Sequence, residues 1–154
     1  MRHYTTYSSR ETKKLASEVG KKLLAARAQQ GARVILLSGD LGSGKTVFVQ
    51  GLLRSFGLSG RITSPTFVLM RQYKIPTGKK IVYNRAYHVD AYRLNKKTLH
   101  HALKKEALQD PRAVVLIEWP EHTELWKKAK KAVRITFSHG RKRNERNIAM
   151  PKLF

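Results

Sequence analysis

The sequence contains no cysteine and few acidic residues. The lack of cysteine among its 154 residues excludes disulfide bonds, thiolate catalysis and cysteine metal sites, which fits a reducing compartment. No stretch approaches the roughly 18 unbroken apolar residues of a membrane span, and the N-terminus lacks the apolar core of a signal peptide. We therefore expect a cytoplasmic protein without a membrane anchor.

Basic residues greatly outnumber acidic ones. The chain has 32 Lys and Arg against 10 Asp and Glu, a formal net charge of +22. Basic residues are concentrated at 71–85, 96–105, 127–134 and 141–146. Such a charge attracts polyanions, so a nucleic acid or an acidic protein is a candidate partner. The alternative is a solvated basic surface with no specific partner.

An apolar run at Val34–Leu37 leads directly into a glycine-rich segment, Gly39-x-x-x-x-Gly44-Lys45-Thr46. This spacing is that of a phosphate-binding loop, in which glycines let main-chain amides approach an oxyanion. The lysine adds a point charge, and the threonine hydroxyl is a ligand for magnesium. A helix beginning at about Lys45 directs its positive dipole end at the same anion. The strand-loop-helix context favours nucleotide binding over an ordinary structural turn.

Periodicity and turn residues predict the remaining elements. We expect strands at 2–7, 66–75, 80–92, 113–118, 132–138 and 146–150, and helices from a Ser8–Glu11 capping box to about Gly31, from Lys45 to Phe56, at 96–108 and at 121–130. The segments 66–75 and 80–92 are predicted to pair as a β-hairpin. The predicted fold is α/β: a three-layer sandwich like that of P-loop NTPases. It has a mostly parallel central sheet, an inserted hairpin and antiparallel C-terminal strands, as a single domain over residues 1–154.

Two carboxylates end predicted strands. Glu118 ends the apolar run Ala113–Glu118, and Asp90 ends the returning strand of the hairpin. In open α/β sheets the ligand lies beyond the carboxyl ends of the strands. If the strand of Glu118 neighbours the first apolar strand, Glu118 approaches Thr46 and can hold magnesium, with Asp90 as a second candidate for metal or water. The alternative for each is an N-cap or a salt bridge. His88 shares a strand face with Asp90, and a structural role is the safer interpretation for it.

Four motifs together closely resemble those of the TsaE family. They are, in order, Gly39-Asp-Leu-Gly-Ser-Gly-Lys-Thr46, Thr63-Ser-Pro-Thr-Phe67, Tyr87-His-Val-Asp-Ala-Tyr-Arg-Leu94 and Ile117-Glu-Trp-Pro-Glu121, and the resemblance covers about residues 8 to 121. These small bacterial ATPases serve the pathway that installs threonylcarbamoyl on adenosine 37 of transfer RNA. The resemblance implies binding of ATP and Mg²⁺, slow ATP hydrolysis, and action with TsaB and TsaD, the latter catalysing the transfer.

The resemblance also implies roles for individual residues. Thr46 and Glu118 serve magnesium, and Asp90 assists hydrolysis, so the implied catalytic residues are Lys45, Asp90 and Glu118. The implied nucleotide contacts are the loop residues, a threonine of the first helix, a threonine in a switch-like segment and a loosely aligned arginine near the C-terminus. They are Thr12, Asp40, Leu41, Gly42, Ser43, Gly44, Lys45, Thr46, Val47, Thr66 and Arg143.

Two features depart from the family pattern. Ser43 stands where alanine is usual, which leaves the backbone cradle intact. Residues 95–109 are rich in Lys and His where relatives tend to carry acidic residues. The basic surface is therefore a candidate contact for transfer RNA, or an altered docking face for TsaB and TsaD. Two other functions stay open: a small-molecule kinase with the same loop, and a basic RNA-binding module regulated by nucleotide.

Overall fold

The computed structural model describes residues 1–26, 29–65, 67–76, 78, 82–93 and 105–152. The strands in these ranges are β1 Arg2–Thr6, β2 Arg33–Gly39, β3 Met70–Lys74, β4 Arg85–Asp90, β5 Ala113–Glu118, β6 Val133–His139 and β7 Arg146–Met150. They form one sheet in the order β1-β7-β6-β2-β5-β4-β3. The four central strands, β6, β2, β5 and β4, are parallel to one another, whereas β1, β7 and β3 pair antiparallel.

The helices in the described ranges are α1 Ser9–Ala25, α2 Lys45–Ser55, α3 Lys105–Gln109 and α4 Leu125–Lys128, with a 3₁₀ turn at Pro120–His122. Helices α1 and α2 cover one face of the sheet, and residues of α3 and α4 pack on the other. The central strands are buried on both faces, as their continuous apolar sequences require: Ile35, Leu36 and Leu37 are each 0% exposed. The predicted α/β fold with a mostly parallel centre is confirmed.

The N-terminal helix begins as predicted and ends earlier. Ser8 Oγ accepts a hydrogen bond from Glu11 N at 3.2 Å, which confirms the serine cap. The helix ends at Ala25 because Ala26 is already extended, with φ −73° and ψ 147°. Gly31 has the expected positive φ of 75°, but it leads into β2 and does not end the helix. There Ala32 N donates to Leu108 O at 2.9 Å, which holds the connection against α3.

The predicted hairpin is confirmed by the antiparallel pairing of β3 and β4, but both strands are shorter than predicted. Strand β3 begins at Met70 because Pro65 O accepts hydrogen bonds from Val68 N and Leu69 N, which closes a turn with Leu69 at φ 64°. Strand β4 begins at Arg85, and just before it Asn84 O accepts a hydrogen bond from Ile75 N while Asn84 N donates to Arg112 O.

The remaining elements differ from prediction mainly in their bounds. Residues 96–104 of the predicted helix 96–108 lie outside the described residues, and α3 covers its end. The predicted helix 121–130 is divided, because Thr123 is extended and its hydroxyl donates to Pro120 O at 2.7 Å. The predictions for the last two strands, β6 and β7, are confirmed to within one residue. Across the described part of the chain, no helix combines the length and apolarity needed to cross a membrane.

Helices α1 and α2 approach each other closely at Gly51. A Cβ atom on Gly51 would lie 2.7 Å from Lys13 Cα and 2.9 Å from Ala16 Cβ, closer than real Cβ contacts allow. The lack of a side chain at this position therefore lets α2 lie directly on the backbone of α1. Because α2 begins at the phosphate-loop lysine, this contact also fixes the helix that carries Lys45 and Thr46.

We expect Gly51→Ala to destabilise the protein by about 1 to 3 kcal/mol, because the helices must separate to admit the methyl group. In an unstrained helix the same change stabilises by about 0.5 to 1 kcal/mol, so the sign is diagnostic. Urea unfolding measures it. Lys21→Ala at an exposed position of α1 is the control and should change stability by less than about 0.5 kcal/mol. A stability for Gly51→Ala equal to or above the parent would contradict the close packing.

Candidate functional site

The parallel register brings the carboxyl ends of three strands to one edge of the sheet. Glu118, the last residue of β5, lies opposite Leu37 of β2 and opposite Asp90 of β4. The glycine-rich loop at 39–46 continues directly from β2, so the loop and both carboxylates share this edge. Both carboxylates are buried, with Glu118 2% and Asp90 6% exposed.

Glu118 contacts two polar side chains. Its Oε2 accepts a hydrogen bond from Thr46 Oγ1 at 2.8 Å, and its Oε1 lies 2.8 Å from Nε2 of His88. His88 is fully buried, and its Nδ1 has no partner among the described residues. Because an ionised carboxylate only accepts hydrogen bonds, we assign the proton to Nε2. His88 therefore orients Glu118 toward Thr46.

Asp90 is held by the segment that follows α2 and by the turn that follows β4. Its Oδ2 accepts a hydrogen bond from Ser64 Oγ at 3.0 Å, and its Oδ1 accepts one from Tyr92 N at 3.0 Å. The Ser64 contact ties the Ser-Pro-Thr segment to the site. Thr66, the residue of that segment expected to contact nucleotide, lies outside the described residues.

The loop has the backbone conformation that a phosphate cradle needs. Gly39, Gly42 and Gly44 have φ values of 132°, 73° and 102°, which residues with a Cβ adopt only with strain. Helix α2 begins at Lys45, and its N-cap Gly44 provides no side-chain cap. The first amides of the helix are therefore available to an anion, and the helix dipole favours a negative charge there.

Lys45 places a cation inside the loop. Its ammonium donates to Gly39 O and, at 2.8 Å, to Asp40 O, and it lies 3.7 Å from the ring centroid of Trp119. Burial lowers the pKa of Lys45, and the nearby carboxylates, led by Glu118, oppose that shift. The ammonium is therefore surrounded by carbonyl oxygens, carboxylates and an aromatic face.

Trp119 borders the site as well as packing on the sheet. It follows Glu118 directly and has φ 58°, a left-handed angle that is uncommon for a bulky residue. Its ring lies 4.9 Å from that of Tyr92 and 5.7 Å from that of His122, measured between centroids. The strained backbone turns the indole from the end of β5 onto Lys45.

Two clefts adjoin across the loop. The first, of about 290 Å³, is lined by loop residues together with Ser64, Asp90, Glu118 and Trp119. The second, of about 330 Å³, lies on the opposite side of the loop and is lined by Ser8, Ser9, Thr12, Gly42, Gly44, Val47, Asn144 and Arg146. Gly42, Gly44 and Val47 line both clefts. The two clefts therefore share residues of the loop itself.

The structure brings together most of the expected site residues. Thr12 lines the second cleft, 2% exposed, with its hydroxyl donating to Ser8 O. Of the loop residues, Asp40 and Leu41 are exposed, whereas Ser43 is buried and its hydroxyl has no partner in the described part of the chain.

The structure adds residues that the sequence did not single out. Arg143 is exposed in the β6–β7 turn, so its expected nucleotide contact stays a prediction, and the second cleft is lined by Asn144 and by Arg146, the first residue of β7. His88, for which a structural role was expected, is buried and contacts Glu118, in keeping with that expectation. The basic cluster 141–146 contained Arg146, but only the strand register reveals which of its residues faces the loop.

The donor set at the first cleft suits a hard cation. Thr46 contributes a hydroxyl, and Glu118 contributes a carboxylate whose Oε2 lies 2.8 Å from that hydroxyl. Both are oxygen ligands of the kind that Mg²⁺ prefers. No group of three or more His, Cys, Asp or Glu side chains that could hold a metal ion occurs within the described ranges. Mg²⁺ does not need such a group, because it is usually held by one or two carboxylates together with phosphates and water.

The chain matches one protein family over nearly its whole length. The family model described as "Threonylcarbamoyl adenosine biosynthesis protein TsaE" matches residues 6–148. Curated proteins named "tRNA threonylcarbamoyladenosine biosynthesis protein TsaE" are 42% identical over 57% of this chain in Synechocystis, 36% over 64% in Nostoc and 36% over 68% in Streptomyces coelicolor. These alignments span 54%, 59% and 66% of the relatives' own length.

A solved structure shows the same fold. The crystal structure of Bacillus subtilis YdiB superimposes with a TM-score of 0.66, covering 99% of this chain and 86% of that one. Sequence identity between the two is 22%.

We expect Glu118→Ala to lower the stability of the ligand-free protein by about 1 to 3 kcal/mol, because it removes the acceptor of two donors at a buried position. Glu118→Gln should cost less, since its amide oxygen still accepts one hydrogen bond. Urea unfolding measures both. Glu121→Ala, three residues along at an exposed position, is the matched control. If Glu118→Ala were as stable as this control, the Thr46 and His88 contacts would contribute nothing to folding.

Proposed function

The chain belongs to the TsaE family, and on that basis we propose that it is a cytoplasmic, magnesium-dependent ATPase that supports threonylcarbamoylation of adenosine 37 in transfer RNA. The observation that carries the proposal is the hydrogen bond between Thr46 and Glu118 beside a glycine-rich loop. We further propose that residues 1–154 act as a single P-loop ATPase domain. The first cleft takes the triphosphate, and the second takes the nucleoside.

The loop and Lys45 bind the phosphates. Main-chain amides at the start of α2 donate to the phosphate oxygens, and the helix dipole adds to the attraction. The Lys45 ammonium contributes a point charge to the outer phosphates. Its present acceptors, the carbonyls of Gly39 and Asp40, keep it within reach of an anion in the loop. The site contacts of Thr12 and Arg143 expected from the family stay part of this proposal.

Thr46 and Glu118 hold magnesium. A bound Mg²⁺ supplies charge neutralisation between the outer phosphates and the protein. Thr46 Oγ1 offers a lone pair directly, and the Glu118 carboxylate binds directly or through water. His88 keeps the carboxylate in place, since its Nε2–H donates to the oxygen that Thr46 does not use.

Asp90 orients the attacking water. The carboxylate lines the same cleft as Thr46 and Glu118, and Ser64 Oγ and Tyr92 N fix both of its oxygens. A water held by Asp90 attacks the terminal phosphorus and gives a proton to the Asp90 carboxylate, while the bond to the ADP oxygen breaks and ADP and inorganic phosphate leave. Because the donors to Asp90 come from two separate segments, a movement of the Ser-Pro-Thr segment alters the position of that water.

The ATPase acts together with other proteins in this proposal. The carbamoyl transfer itself requires a separate catalyst, because the described site offers phosphate and metal ligands and a single water-orienting carboxylate. We assign that step to TsaD, acting with TsaB, and we assign to ATP hydrolysis the role of supporting repeated turnover.

Measuring the release of inorganic phosphate from ATP by the purified protein, with Mg²⁺ present, tests the proposal. We expect Lys45→Ala to lower ATP affinity at least tenfold and to abolish hydrolysis. Asp90→Asn should bind ATP within a few-fold of the parent while hydrolysing it about 10² to 10⁴ times more slowly, the usual effect of losing a group that handles a proton. Lys21→Ala is the matched lysine control and should leave both unchanged.

Two outcomes would overturn this function. One is that ATP neither binds nor is hydrolysed, even with TsaB and TsaD present. The other is phosphoryl transfer to a nucleoside or sugar that outpaces hydrolysis, which would identify a small-molecule kinase.

The charge supports a second proposal, contact with transfer RNA. Arg141, Lys142 and Arg143 are exposed in the β6–β7 turn, and none of their side chains is paired with a carboxylate of the described residues. The turn borders the second cleft through Asn144. Unpaired cations on an ordered turn are suited to phosphate contacts.

We expect reversal of Arg141, Lys142 and Arg143 to Glu to weaken transfer RNA binding and to reduce the slope of log K against log salt by about two to three. The control reverses Lys14, Lys21 and Lys22 on α1, which changes net charge equally. Binding titrations at several salt concentrations measure the slope. Equal losses in both variants would mean that only overall charge matters, and no loss would mean that the turn is simply solvated.

A further inference from the structure

The carbonyl groups of the phosphate loop accept hydrogen bonds from side chains. Lys45 donates to those of Gly39 and Asp40, as described above. His139 Nε2 lies 2.9 Å from Leu41 O, and Arg146 Nε donates to Gly42 O at 3.0 Å. Four consecutive loop carbonyls therefore have side-chain donors.

Two of these donors, His139 and Arg146, lie on the two strands of one hairpin. His139 ends β6 and Arg146 begins β7, and they lie directly opposite each other in the antiparallel register. Arg146 is itself oriented, because its NH1 donates to Arg143 O at 2.8 Å and to Glu145 O at 2.9 Å. Strand β6 also pairs with β2, the strand from which the loop emerges. The donors are therefore carried by regular secondary structure.

The tip of the loop needs such support. Leu41 is 75% exposed, and Gly42 is exposed as well, so apolar packing does not hold the tip. In a trans peptide the C=O of one residue and the N–H of the next point in opposite directions within a rigid plane. Fixing Leu41 O therefore fixes the Gly42 amide. Fixing Gly42 O fixes the Ser43 amide, which closes the loop by donating to Asp40 O at 3.2 Å.

We propose that His139 and Arg146 form a clamp that preorganises the tip of the loop for phosphate. They are positioning residues, since they act through the loop carbonyls. The inference rests on the proposed function in that phosphate is the ligand, but the order of the loop is a property of the protein alone. Preorganisation raises affinity by removing the entropic cost of ordering the loop on binding.

His139→Phe and Arg146→Met test the clamp, because each keeps the bulk of the side chain and removes the donor. His139→Gln retains an N–H donor and serves as the rescue. Asn147→Ala is the control on β7, since the Asn147 side chain faces Thr5 of β1 and not the loop.

The first measurement uses protein without nucleotide. We expect the NMR order parameters of the Gly42 and Ser43 amides to fall from about 0.85, typical of rigid backbone, towards 0.6 in His139→Phe and Arg146→Met. They should stay near the parent value in His139→Gln and Asn147→Ala. Unchanged order parameters in both donor-free variants would overturn the clamp, whatever the protein binds.

The second measurement is calorimetric affinity for ADP and for pyrophosphate. Loss of one hydrogen bond from an uncharged donor corresponds to about a fivefold weaker affinity, which we expect for His139→Phe. Loss of a charged donor corresponds to about a tenfold or greater loss, which we expect for Arg146→Met. The loss should be equal for the two ligands, because pyrophosphate contacts the loop and lacks the nucleoside. A loss for ADP alone would overturn the clamp in favour of a direct nucleoside contact. If the parent binds neither ligand, the proposed function fails, and the order parameters still decide on the clamp.

Discussion

The hydrogen bond from Thr46 to Glu118 joins the start of α2 to the end of β5, and the site depends on it. The bond exists because β2 and β5 are parallel neighbours in a register that pairs Leu37 with Glu118. Side chains alternate between the faces of a strand, so a shift of one residue would turn Glu118 to the other face. Both strands are apolar and buried on both sides, which strongly disfavours such a shift.

The buried Glu118 is stabilised in an unusual way for so basic a chain. Although 32 Lys and Arg are available, its hydrogen-bond partners in the described part of the chain are a hydroxyl and an imidazole. A bidentate arginine would satisfy this carboxylate more strongly but would occupy the oxygens that face the cleft. The hydroxyl and the imidazole hold Glu118 in place and leave it able to bind a cation.

Local sequence patterns predicted the parts of the fold that local chemistry determines. The glycine spacing identified the loop, the Ser8 cap identified the start of α1, and the apolar run ending at Glu118 identified β5. The predicted end of α1 was wrong, and the connection that follows it is held by a distant contact, from Ala32 N to Leu108 O. The predicted start of β3 was wrong because a local turn, in which Pro65 O accepts from Val68 N and Leu69 N, occupies the residues before Met70. The expected nucleotide contact of Arg143 stays a prediction, and the side chain that lines the second cleft is that of Arg146, three residues further along at the start of β7.

The C-terminal hairpin explains how the phosphate loop can have a fixed conformation although its tip is exposed. A loop closed only by its own backbone bonds would gain its shape largely from the bound anion. Here the carbonyl of Gly42 accepts a hydrogen bond from Arg146, 104 residues along the chain, and the carbonyl of Leu41 accepts one from His139, 98 residues along the chain. Both donors lie on strands that continue the sheet beyond β2. Groups mounted on strands are held more rigidly than groups on loops. The β6–β7 hairpin therefore does more than complete the sheet, because it carries the side chains that shape the anion site.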